Sequence, residues 1–475
     1  MSGTAVEHDA TEVDLVVVGG GISGLAAAWE AAQSGASVAV VERADRFGGR
    51  IRTSTLALTD GELPIDEGAD AFLARVPGAV ELCRELGLDA EFVTPATGRA
   101  RVWVGGELRP LPEQHVLGVP VDADDLADTG LLSADSVAAV RREGDRTGAG
   151  PDGDVSIGAY LTDHFDRELV DHLVGPLIGG INAGDVDRLS LEAVTPQLAD
   201  AAHAGGSLVR TLRERRSTVT ESGPVFHGLR GGTGTLIDAL VDALRGHGAL
   251  LLGGTTVTDV YAATDPGNAP MVVVTSGPTL RANGVVLAVP ADGAATLLAP
   301  SSAAAEDLSA IEYTSVTLVT FVFRREDVPG PLDGSGFLVP RDAGMFLTAA
   351  SWGSSKWAHW DDGRHVILRV SAGHTGDQRV EHLDDAEVAR LLLADLRTTM
   401  GIVAPPVTTR VSPWPRGFPQ YQVGHLERVA RIEHALRRDL PHVRVTGSAY
   451  RGLGIPACIT QGRRAARELL DAPSG

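Results

Sequence analysis

The stretch from Val13 to Arg52, VDLVVVGGGISGLAAAWEAAQSGASVAVVERADRFGGRIR, decides the fold. Its Val16-Val17-Val18 run is long enough for a parallel strand buried on both faces. Gly19, Gly21 and Gly24 are the fixed glycines of a GxGxxG turn, completed by Gly20, Ile22 and Ser23. A helix of small residues comes next (Leu25-Ala26-Ala27-Ala28), then a second β-type run, Ser37 to Val41, ending in Glu42. The first glycine makes the tight turn, the second lets backbone reach a pyrophosphate, and the third lets the helix sit close to the sheet. The helix N-terminus then offers unpaired N–H groups and a partial positive charge to the phosphates. Glu42 lies 23 residues after Gly19, where a carboxylate accepts hydrogen bonds from a ribose hydroxyl. Strand, turn, helix and acid together predict a dinucleotide-binding unit.

The residues just beyond Glu42 narrow the nucleotide. Arg43 and the run Phe47-Gly48-Gly49-Arg50 resemble the ERxxxxGGR extension of the flavin-binding monooxygenase and amine-oxidase-like superfamily, not of NAD dehydrogenases. Glycines there let the chain pass under the flavin, and an arginine beside it neutralises phosphate or anionic flavin. FAD is the expected cofactor.

At 475 residues the chain exceeds the size at which one core keeps growing, so two or three lobes are expected. A formal charge of 41 − 62 = −21 argues against nucleic acid or an anionic membrane as the main partner. Cys83 and Cys458 lie far apart with no metal-ligand spacing, so no zinc site or disulfide framework is expected and a reducing cytoplasm fits. No metal ligands stand out among the 14 scattered histidines. The first twelve residues lack the basic and apolar regions of a targeting peptide, and no uncharged apolar run is long enough for a transmembrane segment.

Along the chain, the Asp/Gly/Ala-rich stretch 114–153 reads as polar connectors around short helices. Apolar residues at Ile157, Leu161, Phe165, Leu169, Leu173 and Leu177 predict one amphipathic helix over 156–178. A glycine turn at 231–234 precedes another helix, then a strand with Val257 at the end of its Thr255-Thr256-Val257 run, and strands over 271–275 and 285–291. The β-branched and aromatic stretch 311–371 predicts an antiparallel sheet. The expected fold class is α/β: a discontinuous Rossmann-like FAD-binding domain (1–98, 222–300 and 427–475), a helical insertion (99–221) and an inserted mixed-sheet substrate domain (301–426).

The C-terminal block Gly447 to Arg463 is the second strong signal. A strand runs into Gly447-Ser448, and Gly452-Leu453-Gly454-Ile455-Pro456 brings bare backbone up to a planar ligand. The helix starting near Pro456 can stabilise negative charge on a reduced flavin ring. Here the resemblance becomes specific. DEGADAFLAR (66–75), LVGPLIGGINAGDVDRLSLEAVTPQL (173–198), SSKW (354–357), the Trp414 to Leu426 run and AYRGLGIPACITQG (449–462) resemble the bacterial protoporphyrinogen/coproporphyrinogen III oxidase family, close to its soluble coproporphyrinogen-oxidising branch. Residues 120–155 carry the weakest likeness, acidic loops standing where helix is expected.

The resemblance implies FAD contacts at Gly19, Gly20, Gly21, Ile22, Ser23, Gly24, Glu42, Arg43, Gly49, Arg50, Gly68, Ala69, Val257, Trp414, Gly447, Gly454 and Ile455. It implies a substrate cavity lined by Asn182, Ala183 and Gly184 with Ile181, by Arg75 at the end of DAFLAR, and by side chains from 335–350. Two positions depart from the pattern: a tyrosine is expected at Asn182, and a basic residue at Val76 would suit a propionate. The implied reaction removes six electrons from a porphyrinogen in three two-electron steps, delivering hydride equivalents to flavin N5, with dioxygen reduced to hydrogen peroxide. No protein residue is assigned as catalytic, because the cofactor carries the chemistry. His425 reads as a hydrogen-bonded histidine at a domain junction rather than a base. The acidic balance favours coproporphyrinogen over protoporphyrinogen, and a ferrochelatase handover would follow from the pathway.

A flavin amine oxidase is the nearest rival, but the aromatic residue it would place after Gly452 is Leu453 here. Lys356, the only lysine, could imitate that group's flavin-side lysine, yet SSKW fits the porphyrinogen family equally. A carotenoid desaturase would need a longer apolar cavity and membrane contact. A non-catalytic, Rab-escort-like carrier would not need both glycine turns intact.

Overall fold

The computed structural model describes residues 10–58, 61–218, 223–264 and 269–471. The acidic residues 1–9 and the expected domain ends at 222 and 472–475 lie outside them.

The first strand, Thr11–Val18, explains why its sequence is apolar without alternation. Leu15 and Val17 enter one apolar layer with the helices Ile22–Gln33, Gly234–Gly246 and Ile455–Leu470. Val16 and Val18 enter the opposite layer with Ala291–Leu298 and His425–Asp439. Both faces are covered, so every side chain from Leu15 to Val18 is buried, each contributing ~1.5–3 kcal/mol over exposure.

Around this strand the sheet runs in the order Leu250–Leu252, Val38–Val41, Thr11–Val18, Leu280–Leu287, Met271–Thr275, Val257–Ala262, and Val443–Val445 pairs with Leu280–Leu287. The pairs joining Leu250–Leu252, Val38–Val41, Thr11–Val18, Leu280–Leu287 and Val443–Val445 are parallel. Gly19, Glu42 and Gly447 therefore come after strands ending at one edge, where open α/β sheets bind ligands.

A second seven-stranded sheet has the order Thr408–Pro419, Tyr313–Arg324, His365–Ala372, Leu347–Trp352, Gly336–Leu338, Ala100–Val104, Glu107–Pro110. It is antiparallel except for the parallel pair Gly336–Leu338 and Ala100–Val104. The sheet thus recruits the beginning of the 99–221 stretch. Helix Asp385–Met400 covers one face.

Two expectations require correction. Residues 156–178 form several helical pieces: Ile157–His164 ends, Asp166 caps Arg167–Leu169 through the Leu169 N–H, and a π turn, Val170–Val174, leads into Gly175–Asn182. The Asp166 cap competes successfully with continuous helix, although the apolar spacing persists across the break. Residues 120–155 hold the short helices expected within 114–153, in place of the acidic loops read where the family likeness is weakest. They carry the helices Ala123–Thr129 and Ala134–Glu143, started by Asp122 and Ser133 side chains accepting backbone N–H bonds. The acids concentrate at helix starts, where they cap and complement the dipole. Among the described residues, no helix is long and apolar enough to cross a membrane.

Candidate functional site

The two glycine turns meet at the parallel edge of the first sheet. Gly19 has φ +105°, and an added Cβ would sit 2.6 Å from the Ala288 carbonyl oxygen, so glycine is required there. Gly24 has no room for a Cβ because the Gly19 carbonyl occupies the space. Gly21 differs: its added Cβ would meet nothing nearer than the Gly49 Cα, at 3.9 Å. The space beside Gly21 is therefore open, the condition for close approach by a ligand. Helix Ile22–Gln33 starts at Gly21 and helix Ile455–Leu470 starts at Gly454, neither with a side-chain cap. The two helices are locked together, since a Cβ at Gly462 would collide with the Ser23 carbonyl. Two uncapped N-termini with bare backbone around them fit a dinucleotide phosphate and the edge of a planar ring.

Glu42 is held by two backbone donors: Oε2 accepts from Gly20 at 2.7 Å and Oε1 from Ala44 at 2.8 Å. Both oxygens keep lone pairs for a ribose hydroxyl. Arg43 is exposed. Val257 stands nearby, two residues after Thr255, whose N–H donates to the Glu42 carbonyl at 2.9 Å. Gly48 and Gly49 have φ +106° and +58°, and Gly48 N–H donates to the Gly20 carbonyl at 2.7 Å. Arg46 fixes this loop by donating to the carbonyls of Phe47, Gly49 and Ile51. It occupies an x position of ERxxxxGGR, so motif reading passes over it.

Arg50 joins the N-terminal motif to the rest of the crevice. Its Nη1 donates to Ser448 Oγ at 2.9 Å, and its Nη2 to the Arg416 carbonyl at 3.0 Å. Arg416 itself has φ +50° and places its guanidinium 5.0 Å from the Tyr313 ring centroid. Gly68 lies between the Arg50 carbonyl, 2.7 Å from an added Cβ, and Trp414 at 3.7 Å. Trp414 Nε1 donates to the Glu67 carbonyl at 2.7 Å, and the Ala69 carbonyl accepts from Thr233 Oγ1 at 2.9 Å. Arg369, equally invisible to motif reading, donates to the carbonyls of Asp66 and Gly68. Beside it, burial alone would raise Asp70, but Lys356 at 3.0 Å and Arg369 at 2.8 Å hold its carboxyl well below the usual range. Lys356 is thus engaged in an ion pair.

The substrate-side residues fall in two places. Arg75 is exposed, just before helix Pro77–Glu85, which packs against helix Ile455–Leu470. Asn182, Ala183 and Gly184 are buried at the end of helix Gly175–Asn182, beside the strands Gly336–Leu338 and Leu347–Trp352. Asn182 Nδ2 donates to the Ile178 carbonyl at 2.8 Å, so the amide closes its own helix. Ala183 has φ +48°, and its carbonyl accepts from Thr375 N–H at 2.8 Å. The Gly184 carbonyl accepts from Arg341 Nη2 at 2.6 Å, and Arg341 also pairs with Asp185. The side chain this loop presents outward is Ile181, 58% exposed.

His425 lies fully buried between the two regions. Its Nε2 donates to the Tyr450 carbonyl at 2.8 Å, its ring stacks on Tyr421 with centroids 4.0 Å apart, and burial holds its pKa down at about 4. The donor role at Nε2 follows from the neutral tautomer that this carbonyl selects. Cys83 and Cys458 are free and buried. Among the described residues, no group of three or more His, Cys, Asp or Glu side chains could hold a metal.

A Rossmann-like sheet with two uncapped glycine turns at one edge, joined to a large mixed sheet, defines the class of flavoprotein oxidoreductases. The model of the flavin containing amine oxidoreductase family matches residues 22–470, and the chain belongs to that family. It is 32% identical to coproporphyrinogen III oxidase of Bacillus subtilis over 96% of this chain and 97% of that protein. With the same-named enzyme of Propionibacterium freudenreichii it shares 35% identity over 99% and 94%. A solved structure from Exiguobacterium sp. 255-15, provisionally named a protoporphyrinogen oxidase, superposes with a TM-score of 0.85 at 28% identity, covering 97% of this chain and 99% of that one. The protein is an FAD-dependent oxidoreductase.

Proposed function

We propose that this chain oxidises coproporphyrinogen III to coproporphyrin III, removing six hydrogens while three dioxygen molecules become three hydrogen peroxide molecules. One observation carries the reading. Both glycine turns are intact and face each other in a chain similar over nearly its whole length to enzymes of that name. Bound FAD supplies the two-electron acceptor that dioxygen can reoxidise.

In this reading Gly19, Gly20, Gly21, Ile22, Ser23 and Gly24 hold the pyrophosphate, and Glu42, with Arg43 and Val257 beside it, receives the adenosine ribose. Gly49, Arg50, Gly68, Ala69, Trp414, Gly447, Gly454 and Ile455 would hold the flavin, and the helix N-terminus at Gly454 would favour negative charge beside it. The open space at Gly21 and the absence of a side-chain cap at Gly21 and Gly454 support this placement. Ile181 supplies apolar contact to the macrocycle, and Asn182, Ala183 and Gly184 shape the wall behind it. Arg75 takes a propionate at the mouth. The first sheet with its helices forms the FAD-binding domain, the second sheet the substrate domain, and the helices beyond residue 120 the insertion.

A cytoplasmic setting accords with two free, buried thiols in a chain of this size. Transfer of the product to a ferrochelatase belongs to the same proposal, because a metal-free porphyrin is what metal insertion consumes. The test is porphyrin fluorescence growth in air with coproporphyrinogen III, run beside protoporphyrinogen IX. Faster growth with the first is expected. Preference for the second would reassign the substrate, and no rate above the background with either would overturn the reading.

A further inference from the structure

Two adjacent residues, Gln420 and Tyr421, touch both halves of the site. They come directly after strand Thr408–Pro419 and are each 3% exposed. Gln420 faces the candidate substrate loop. Its Nε2 donates to the Asn182 carbonyl at 3.1 Å, and its Oε1 accepts from Thr375 Oγ1 at 3.1 Å. Thr375 in turn donates its N–H to the Ala183 carbonyl at 2.8 Å. An added Cβ at Gly184 would lie 2.7 Å from Gln420 Oε1, so the loop is moulded against this amide. Ala183 holds φ +48°, a conformation that costs a non-glycine residue free energy and that surrounding bonds must maintain.

Tyr421 faces the candidate cofactor turn. Its hydroxyl donates to the Ser448 carbonyl at 2.6 Å and accepts the Gly452 N–H at 2.9 Å, spanning the turn between its two positive-φ glycines, Gly447 and Gly452. Ser448 Oγ also receives Arg50. The Tyr421 ring is fixed by its stack on His425, which holds the Tyr450 carbonyl inside the same turn. The Tyr421 backbone adds a third tie: its carbonyl accepts Ser190 N–H at 2.8 Å, from the segment just past the substrate loop.

Resting on the proposed porphyrinogen oxidase activity, we infer that Gln420 and Tyr421 are positioning residues that couple the substrate loop to the flavin-side turn. A macrocycle pressing on Ile181–Gly184 displaces or tightens the Gln420 amide, and the neighbouring Tyr421 transmits this to Ser448 and Gly452. Coupling of this kind is reciprocal: whatever the substrate does to the turn, the filled cofactor site does to the loop. The loop and the turn thus act as one site during successive two-electron removals, when the same macrocycle must be held at one distance from the flavin.

Hydrogen exchange read by mass spectrometry on the FAD-loaded protein tests this, with air-stable coproporphyrin III as the probe. In the wild type the probe should slow exchange in peptides covering 178–186 and also in peptides covering 448–454, by about fivefold, the low end of ordinary coupling factors. In Gln420→Ala, slowing at 178–186 should persist while slowing at 448–454 falls below about twofold. Tyr421→Phe keeps the ring stack and loses only the hydroxyl bridge. It should give the same separation, and it serves if the Gln420 variant does not fold. A residue with a merely structural role would raise exchange everywhere yet leave the probe's effect on the turn intact, and that result would overturn the inference. So would wild-type protection confined to 178–186, which leaves the proposed function standing. No protection at 178–186 in the wild type would remove the substrate-loop reading and the inference together.

Discussion

The first cofactor-side turn and the substrate-side loop are both built from small residues in unusual backbone conformations, but they are held differently. At Gly19 to Gly24, Gly19 and Gly24 answer to backbone collisions, Gly20 to the Phe47 ring and Gly21 to open space, and the surrounding bonds are backbone to backbone or end on Glu42. At Asn182 to Gly184 the conformation is imposed by side chains from remote segments: Arg341, Thr375 and Gln420. A turn fixed by its own glycines is a local property of sequence. A loop fixed by distant partners is a property of the fold, and only the folded chain reveals it.

Glycine substitutions break the comparison most strongly. Gly24→Ala drives a methyl into the Gly19 carbonyl and should cost ~3 kcal/mol or more by urea unfolding. Gly21→Ala has free space, so stability should stay within ~0.5 kcal/mol. FAD affinity should nevertheless fall at least about tenfold, ~1.4 kcal/mol, in a flavin titration. Equal effects of the two would show that the space beside Gly21 is not a ligand site.

His425 gives a pH-dependent contrast of similar size. The native state keeps this imidazole neutral, with a pKa near 4 against 6.5 for the ordinary side chain. Below pH 6.5 the unfolded chain takes up a proton that the folded one refuses, so its stabilisation is present above 6.5 and lost as pH falls through about 4. The difference in unfolding free energy between wild type and His425→Gln should therefore shrink by ~3 kcal/mol between those limits. A constant difference would mean that the histidine is not held neutral.

Smaller effects belong to the substrate loop. Arg341→Ala frees the Gly184 carbonyl and Asp185, and should raise KM for coproporphyrinogen III about fivefold with kcat within about twofold. An equal loss in kcat would place Arg341 in the chemistry instead. Ile181→Asp alters an exposed side chain, so stability should stay within ~0.5 kcal/mol. KM should still rise severalfold, because the new carboxylate faces an apolar ring and repels propionates.

The same division explains how much the sequence discloses. The βαβ unit and Glu42 are legible because their spacing is set by short-range geometry, and the second turn is legible through its glycines although Arg50, Tyr421 and His425 hold it from distant segments. The 156–178 stretch reads as one continuous helix because its apolar period persists, whereas Asp166 caps a new helix inside it. The short helices read within 114–153 are present, and their starts at Asp122 and Ser133 explain why a charge count alone takes 120–155 for acidic loops. Arg46 and Arg369 carry no motif signal, and Gln420 and Tyr421 lie inside the Trp414 to Leu426 run without the run disclosing what they hold. Each acts through backbone carbonyls or amides, and such partners leave no trace in residue identity.

The most direct measurement is anaerobic mixing of the FAD-loaded protein with coproporphyrinogen III while the visible flavin absorbance is followed. A porphyrinogen oxidase of this design should bleach rapidly, release porphyrin in step with the bleaching, and regain its yellow colour on admission of air. A flavin that stays oxidised in the presence of excess porphyrinogen would contradict it.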